Sequence, residues 1–318
     1  MSKRTSLGII GTGRIARRFV LETKYVDDVE LVSIYNPKLE SAKIFAEKFK
    51  IKSFFDILDA FMENIDSVYI ASPHETHYFY AKKALECGKH VLCEKPLVLT
   101  KKEAIELYHI AEKKQCVLME AIKTLYCPGF QQLMEIVKSG IIGDVIDVES
   151  TFTKLENPSS RELTDNKYGG SFTELGTYTL LPIIKLLGKN YQSVYFEKIL
   201  NDNNIDIYSK AYFRYRNALA TSKTGLGVKS EGQLVISGTR GYVMVEAPWW
   251  KTQSIEVRFE DINKKQKYIT EFQGEGLRYE LISFLSLIKE RKEKELKVLE
   301  NDAIIFAEIM ENFLRYRS

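Results

Sequence analysis

Apolar and polar positions change rhythm partway along the 318-residue chain. In the first part, short apolar runs alternate with amphipathic stretches. The runs are Leu7-Gly8-Ile9-Ile10, Glu30 to Tyr35, Ser67 to Ile70, His90 to Cys93 and Cys116 to Met119, each bounded by Gly, Pro or charge. Between them, Lys38 to Phe49 repeats Leu39, Ala42, Ile44, Phe45, Ala46 and Phe49 at helical spacing. Thr76 to Leu85 and Thr100 to Ala111 behave alike, and Thr100 followed by Glu103 is a capping box. Strands alternating with helices predict β-α-β units and a parallel sheet.

From about Asp144 the strand signals follow one another with few helices between. They are Val145 to Phe152, Val194 to Leu200, Ile205 to Tyr215, Ala218 to Ser222, Gly232 to Ile236, Tyr242 to Glu246, Ile255 to Phe259 and Tyr268 to Phe272. Turn-like links such as Asn201 to Asn204, Arg216-Asn217 and Gly238 to Gly241 predict a large antiparallel sheet. Helices are expected at Gly170 to Leu187, Leu277 to Lys289 and Asp302 to Arg317, with the charge run Lys289 to Lys297 as a solvated helix end and loop. Repeats, low-complexity segments and a Pro/Gly/Ser linker are absent from the sequence, so the two halves are expected to associate tightly.

Composition narrows the function. The length suggests two domains, at one per ~150 residues. Hydrophobic residues make up 45% and charged residues 28%, enough apolar material for folded cores. With 46 basic and 43 acidic residues the net charge is +3, so there is no electrostatic footprint of a nucleic-acid binder. No run approaches ~18 apolar residues, the length of a membrane span. Met1-Ser2-Lys3-Arg4 leads straight into a strand without signal-peptide features, and a cytoplasmic location is expected. Cys87, Cys93, Cys116 and Cys127 form no C-x-x-C pair and have no His at zinc-like spacing; they read as free thiols, with no metal.

Four features carry chemistry. Gly11-Thr12-Gly13-Arg14-Ile15-Ala16 follows an apolar strand and opens a helix, the context of a dinucleotide-binding turn, with Ala16 at the third small position. A carboxylate closing the second strand would accept from a ribose 2′-hydroxyl. Here the strand ends in Tyr35-Asn36-Pro37-Lys38, and Asp27, Asp28 and Glu30 precede it. A 2′-phosphate would meet no repulsion, Asn36 could donate to it and Lys38 is a nearby cation, so NADP(H) is favoured over NAD(H). Lys38 reads equally as an exposed helix-start residue. Cys93-Glu94-Lys95-Pro96 lies at the carboxyl end of a strand, where open α/β sheets bind ligands, and a lysine there can polarise a carbonyl oxygen. Tyr168-Gly169-Gly170 leads into a helix on which Glu174 and Tyr178, four apart, share a face. Taken alone, that pair reads more readily as a surface contact.

Together, in this order, these features resemble the Gfo/Idh/MocA oxidoreductase family. Further matches are Ser72-Pro73-His74-Glu75-Thr76-His77, Gly88 to Leu97, Glu120-Ala121, Ser139 to Gly143 and Gly238 to Gly241. The resemblance implies an α/β fold: an N-terminal Rossmann dinucleotide-binding domain, residues 1–122, and a C-terminal α+β domain with a large, mostly antiparallel open sheet, residues 123–318. It implies Lys95 as the catalytic lysine, a cis bond to Pro96, and Tyr178 as proton donor and acceptor. Gly11, Thr12, Gly13, Arg14, Ile15, Asn36, Lys38, Ser72, Pro73, His77, Glu94 and Lys95 become the cofactor-binding candidates. Lys123, Glu174 and Tyr178 become the substrate candidates, and Glu174 joins Lys95 and Tyr178 as a catalytic candidate.

The tyrosine version is most similar to the dihydrodiol and pyranose dehydrogenase branch and to ketoreductases of nucleotide-linked sugars. Glu174 stands where most members have Asp. Ile122 to Pro128 lacks the arginine often found before that proline; either Lys123 replaces it or the substrate differs. The expected reaction is hydride transfer between nicotinamide and a carbonyl or hydroxyl of a sugar, sugar derivative or cyclic polyol. The alternatives are a dinucleotide-sensing regulator of the same fold and an NAD-dependent glycosidase. A homodimer or homotetramer through the second sheet is expected. His90 and His109 read as structural. His74 and His77 follow the Ser67 to Ile70 strand, and His77 reads as a helix cap or a neighbour of the nicotinamide ribose. Trp249-Trp250 read as interface or core.

Overall fold

The computed structural model describes residues 4–317; Met1 to Lys3, which belong to the expectation about a leader, lie outside the described residues. Among the described residues two sheets form. The first contains β1 (Thr5–Ile10), β2 (Val29–Tyr35), β3 (Ser53–Phe55), β4 (Ser67–Ile70), β5 (His90–Glu94) and β6 (Leu118–Ala121). Their order is β3-β2-β1-β4-β5-β6, and every pairing is parallel. Such sheets carry helices on both faces, so their strands read as continuous apolar runs; β4 is buried throughout. The strand order reverses at β1, the position at which open α/β sheets bind ligands.

Register matters more than order for the site. Ile10 pairs with both Tyr35 and Ile70, Ile70 with Cys93, and Glu94 with Ala121. The strands end almost level, so Gly11, Asn36, Ser72, Lys95 and Ile122 all leave the sheet along one edge.

The second sheet contains β7 (Val145–Thr153), β8 (Ser193–Leu200), β9 (Asp206–Arg214), β10 (Leu219–Gly225), β11 (Leu234–Gly238), β12 (Tyr242–Val245), β13 (Ser254–Arg258) and β14 (Lys265–Ile269). The order is β14-β13-β12-β11-β7-β10-β9-β8. Its pairings are antiparallel except β7 with β10. The helix Ser171–Leu187 packs on β7, β9 and β10 and covers one face. By contact the chain groups into two compact units, Met1–Lys123 with Gly274–Glu308, and Thr124–Gln273 with Ile309–Ser318.

Several local expectations are corrected. β3 was not expected: it has three residues, none of them fully buried, too few to show alternation. The strand expected at Cys116 to Met119 is Leu118–Ala121, because Cys116 N–H returns to Ala111 and closes the preceding helix. The helix Pro128–Lys138 was missed although Pro128 opens it at a position proline favours. The strand expected at Tyr268 to Phe272 is Lys265–Ile269, whose lysines suit a sheet edge and hide it from an apolar search. The charge run does hold a helix end at Glu290 and a short link, Arg291–Lys292, but the last helix already begins at Glu293, with Lys297 paired to Glu300 one turn on. The capping box is present, with Glu103 N–H donating to Thr100 Oγ1 at 3.3 Å.

Candidate active site

The glycine turn is shaped by what surrounds it. Gly11 has φ +103°, and a Cβ there would lie 2.4 Å from the Ala71 carbonyl oxygen, so only glycine fits. A Cβ on Gly13 would meet nothing within 4 Å. The helix Arg14–Thr23 has no side-chain cap at its N-terminus. Open space before uncapped backbone N–H groups suits a phosphate, so the residues fit a dinucleotide. Asn36 is already engaged: Nδ2 donates to Thr12 Oγ1 at 3.1 Å and Oδ1 accepts from Lys38 N at 2.9 Å. It ties the end of β2 to the glycine turn. Lys38 and Arg14 are exposed and Ile15 is half-buried.

The second cluster surrounds Lys95, which follows β5 through a cis peptide to Pro96. Glu94 Oε1 accepts from the Tyr69 hydroxyl at 2.6 Å, and the Tyr69 ring stacks on Phe19 at 3.6 Å between centroids. His77 is fully buried, with Nδ1 2.8 Å from the Pro96 carbonyl oxygen and Nε2 3.0 Å from that of Ser72. The ring thus joins the loop after β4, with Ser72 and Pro73, to the loop after β5. Burial lowers its pKa. His90 accepts from Val117 N–H at 2.9 Å, a structural role, and His109 is exposed.

Two carboxyls that received no role in the sequence reading stand here too. Glu120, at the end of β6, accepts from Leu97 N–H at 2.9 Å, and burial pushes its pKa up to about 8. Glu280 is completely buried in the helix Leu277–Glu290, and burial beside Glu94 raises its pKa well above the ordinary range. Its sequence signal was an acid on the apolar stripe formed by Leu277, Leu281 and Phe284. Lys123, a substrate candidate, donates from Nζ to the Glu275 carbonyl at 2.8 Å.

The third cluster belongs to the other unit. Between Ser171 and Ile184 every residue of the helix is buried except Glu174 and Tyr178. The helix start is held from β9, where Asp206 Oδ2 accepts from Ser171 Oγ at 2.8 Å, Phe172 N–H at 2.8 Å and Ser209 Oγ at 2.9 Å. Gly170, at φ +116°, is needed because a Cβ would fall 2.0 Å from Asp206 Oδ1. Beside Tyr178 stands an aromatic wall. Its ring centroid is 5.5 Å from that of Phe152, on which Trp250 stacks at 3.5 Å and 9°. Trp249 is core, donating from Nε1 to the Thr151 carbonyl at 2.7 Å.

Comparison with known proteins decides the family. Residues 5–122 match the model of the oxidoreductase family with an NAD-binding Rossmann fold, and residues 130–244 match the Gfo/Idh/MocA C-terminal domain. The chain belongs to the Gfo/Idh/MocA oxidoreductase family. Among the curated members it resembles the trans-1,2-dihydrobenzene-1,2-diol dehydrogenase of Xenopus tropicalis, 27% identical over 98% of this chain and 97% of that one. A second is the scyllo-inositol 2-dehydrogenase (NADP(+)) IolU of Bacillus subtilis, 28% identical over 95% and 94%. The fold is shared with a 3-ketoreductase from Actinomadura kijaniata, solved with NADP and TDP-benzene (TM-score 0.83, 20% identity, 97% of this chain and 96% of that one). The Gfo/Idh/MocA protein described here therefore has an NAD(P)-binding Rossmann fold and a mostly antiparallel second sheet, and belongs with NAD(P)-dependent sugar-type oxidoreductases. Among its described residues no helix is long and apolar enough to cross a membrane, and no cluster of His, Cys, Asp and Glu could hold a metal ion.

Proposed function

We propose that the protein is an NADP(H)-preferring dehydrogenase or reductase that interconverts a CH–OH group and a carbonyl in a sugar, sugar derivative or cyclic polyol. The observation that carries the reading is the helix Ser171–Leu187: over Ser171 to Ile184, Glu174 and Tyr178 alone are not buried, and Tyr178 stands beside the Phe152–Trp250 stack. A phenol with an aromatic neighbour suits a ring that offers one apolar face and one oxygen.

Residues 1–122 form the cofactor domain in this reading and residues 123–318 the substrate domain. Gly11, Thr12, Gly13, Arg14 and Ile15 hold the pyrophosphate. Asn36 and Lys38 take the adenosine 2′-phosphate, a preference in line with the scyllo-inositol 2-dehydrogenase (NADP(+)) of Bacillus subtilis. Ser72, Pro73, His77 and Glu94 shape the wall near the nicotinamide. These residues would hold a nicotinamide dinucleotide, which would supply hydride-transfer chemistry at the substrate carbon. Lys95 stabilises negative charge on the substrate oxygen, Tyr178 gives that oxygen a proton in reduction and takes it in oxidation, and Glu174 orients the substrate. Assembly is through the second sheet, whose outward side chains include Tyr195, Ile199, Tyr212 and Leu219. A cytoplasmic location agrees with four cysteines that are all free.

The test is a panel of aldoses, inositols, trans-dihydrodiols and sugar nucleotides with NADP+ or NADPH, read at the nicotinamide absorbance band. Turnover of at least one polyol or its ketone is expected. No turnover anywhere in the panel removes the reading. Greater thermal stabilisation by NADPH than by NADH is expected, and the reverse order removes the NADP preference.

A further inference from the structure

We propose that Glu120 is a positioning residue for Lys95, fixing the backbone beyond the Lys95–Pro96 bond with one carboxyl oxygen and keeping a buried, ionisable carboxyl within electrostatic reach of the lysine. The inference rests on the reading of Lys95 as the catalytic lysine.

Glu120 Oε1 accepts from Leu97 N–H at 2.9 Å, two residues past Lys95. Glu120 is 6% exposed, and among the described residues its Oε2 is buried without a hydrogen-bond partner. A carboxylate left that way loses most of its hydration with nothing in return, so the neutral acid is the favoured form near neutrality. Burial raises the pKa to about 8; the Leu97 N–H and the Lys95 charge work against that rise, and Asp302 and Glu94 add to it. The charged groups facing Glu120 are therefore Lys95 and Glu94 from the end of β5 and Asp302 from the helix Glu293–Arg317. Glu280 faces Glu94 behind them.

The consequence follows from charge. Below pH 8 the Lys95 ammonium faces an uncharged Glu120 and its field is available to the substrate oxygen. Above pH 8 Glu120 becomes an anion beside it and cancels part of that field. Carbonyl reduction should slow while the substrate contacts stay unchanged.

The test uses the full-length protein and the most reactive carbonyl compound of the panel. For the wild type, kcat for reduction should fall at least 3-fold between pH 7 and pH 9, with KM changed less than 2-fold. Glu120→Gln keeps an acceptor for Leu97 N–H and should lose that limb; Glu120→Ala should lose both the limb and most of kcat. A wild-type kcat flat from pH 6.5 to 9.5, or a limb that survives in Glu120→Gln, overturns the proposal. Ligand-free melting gives a readout without turnover. Because the folded pKa is raised, wild-type stability should decline relative to Glu120→Gln as pH rises from 5 to 8 and then level off. Parallel melting curves overturn the proposal as well. Lys95→Ala in the same assay separates the two ideas: if it turns over like the wild type the reading of Lys95 fails, and if it is inactive while the limb ignores Glu120 only the present inference fails.

Discussion

The two proposed catalytic side chains are held by opposite means. Lys95 stands among buried ionisable groups: Glu94 beside it in the chain, and Glu120 and His77, which feel its charge. Tyr178 stands on a helix held by a buried apolar face and by polar pairs: Ser171 with Thr224 at 3.0 Å, Thr179 with Ser222 at 2.6 Å, and the Asp206 carboxylate at its start. Under the proposal for Glu120, ionisable neighbours would make the first site responsive to pH. Hydroxyl pairs fix the second by packing and do not titrate in the working range.

Five substitutions sharpen or break that contrast. The largest effect is catalytic. Lys95→Ala and Tyr178→Phe should each lower kcat by roughly 100-fold or more, while NADPH affinity is largely retained in Tyr178→Phe. Wild-type turnover in either variant removes that side from the comparison. Next is the ion pair in which Arg278 Nε and Nη2 donate to Glu22 at 2.9 Å each. Arg278→Leu leaves the 5%-exposed Glu22 without its partner and should cost about 3 kcal/mol in urea unfolding at pH 7. Burial alone would raise the Glu22 pKa, but hydrogen bonds from Arg278 and the Glu275 backbone outweigh it and lower it. The pair's contribution is therefore present above the unfolded-state pKa near 4.5 and fades as pH falls below it, and the cost of Arg278→Leu should shrink there too. A cost that stays constant down to pH 3 contradicts the assignment.

In the other unit, Asp206→Ala removes an acceptor of three hydrogen bonds and should cost about 2 kcal/mol. If it changes kcat without changing the melting temperature, the helix start is not held as described. The smallest is Thr100→Ala, about 1 kcal/mol for a lost cap, read as a melting shift with unaltered kinetics.

How much of this could be read in advance depended on sequence distance. The alternation of β1, β2, β4 and β5 with helices is written in short apolar runs, and the glycine turn, Lys95 and the Glu174–Tyr178 spacing are local patterns. What surrounds them is assembled from afar. Glu22 meets Arg278 across 256 positions, and Trp249 reaches Thr151 across 98. No periodicity encodes such pairs. Glu120 belonged to a matching stretch, but its contact with Leu97 depends on β5 and β6 ending side by side. Lys123 showed the opposite difficulty: a cation where an arginine was expected suggested substrate, and the structure points its ammonium at the Glu275 carbonyl.

The grouping of Gly274–Glu308 with the first sheet bears on how the chain is made. During synthesis domains tend to fold as they emerge, the N-terminal one first. Here the partners of Glu22 and the alanines Ala303 and Ala307, which complete the core around Leu107 and Leu118, arrive last. The nascent dinucleotide unit must therefore wait, with part of its core uncovered, until nearly the whole polypeptide has left the ribosome. A gene cut after residue 122 would encode a unit with that gap built in.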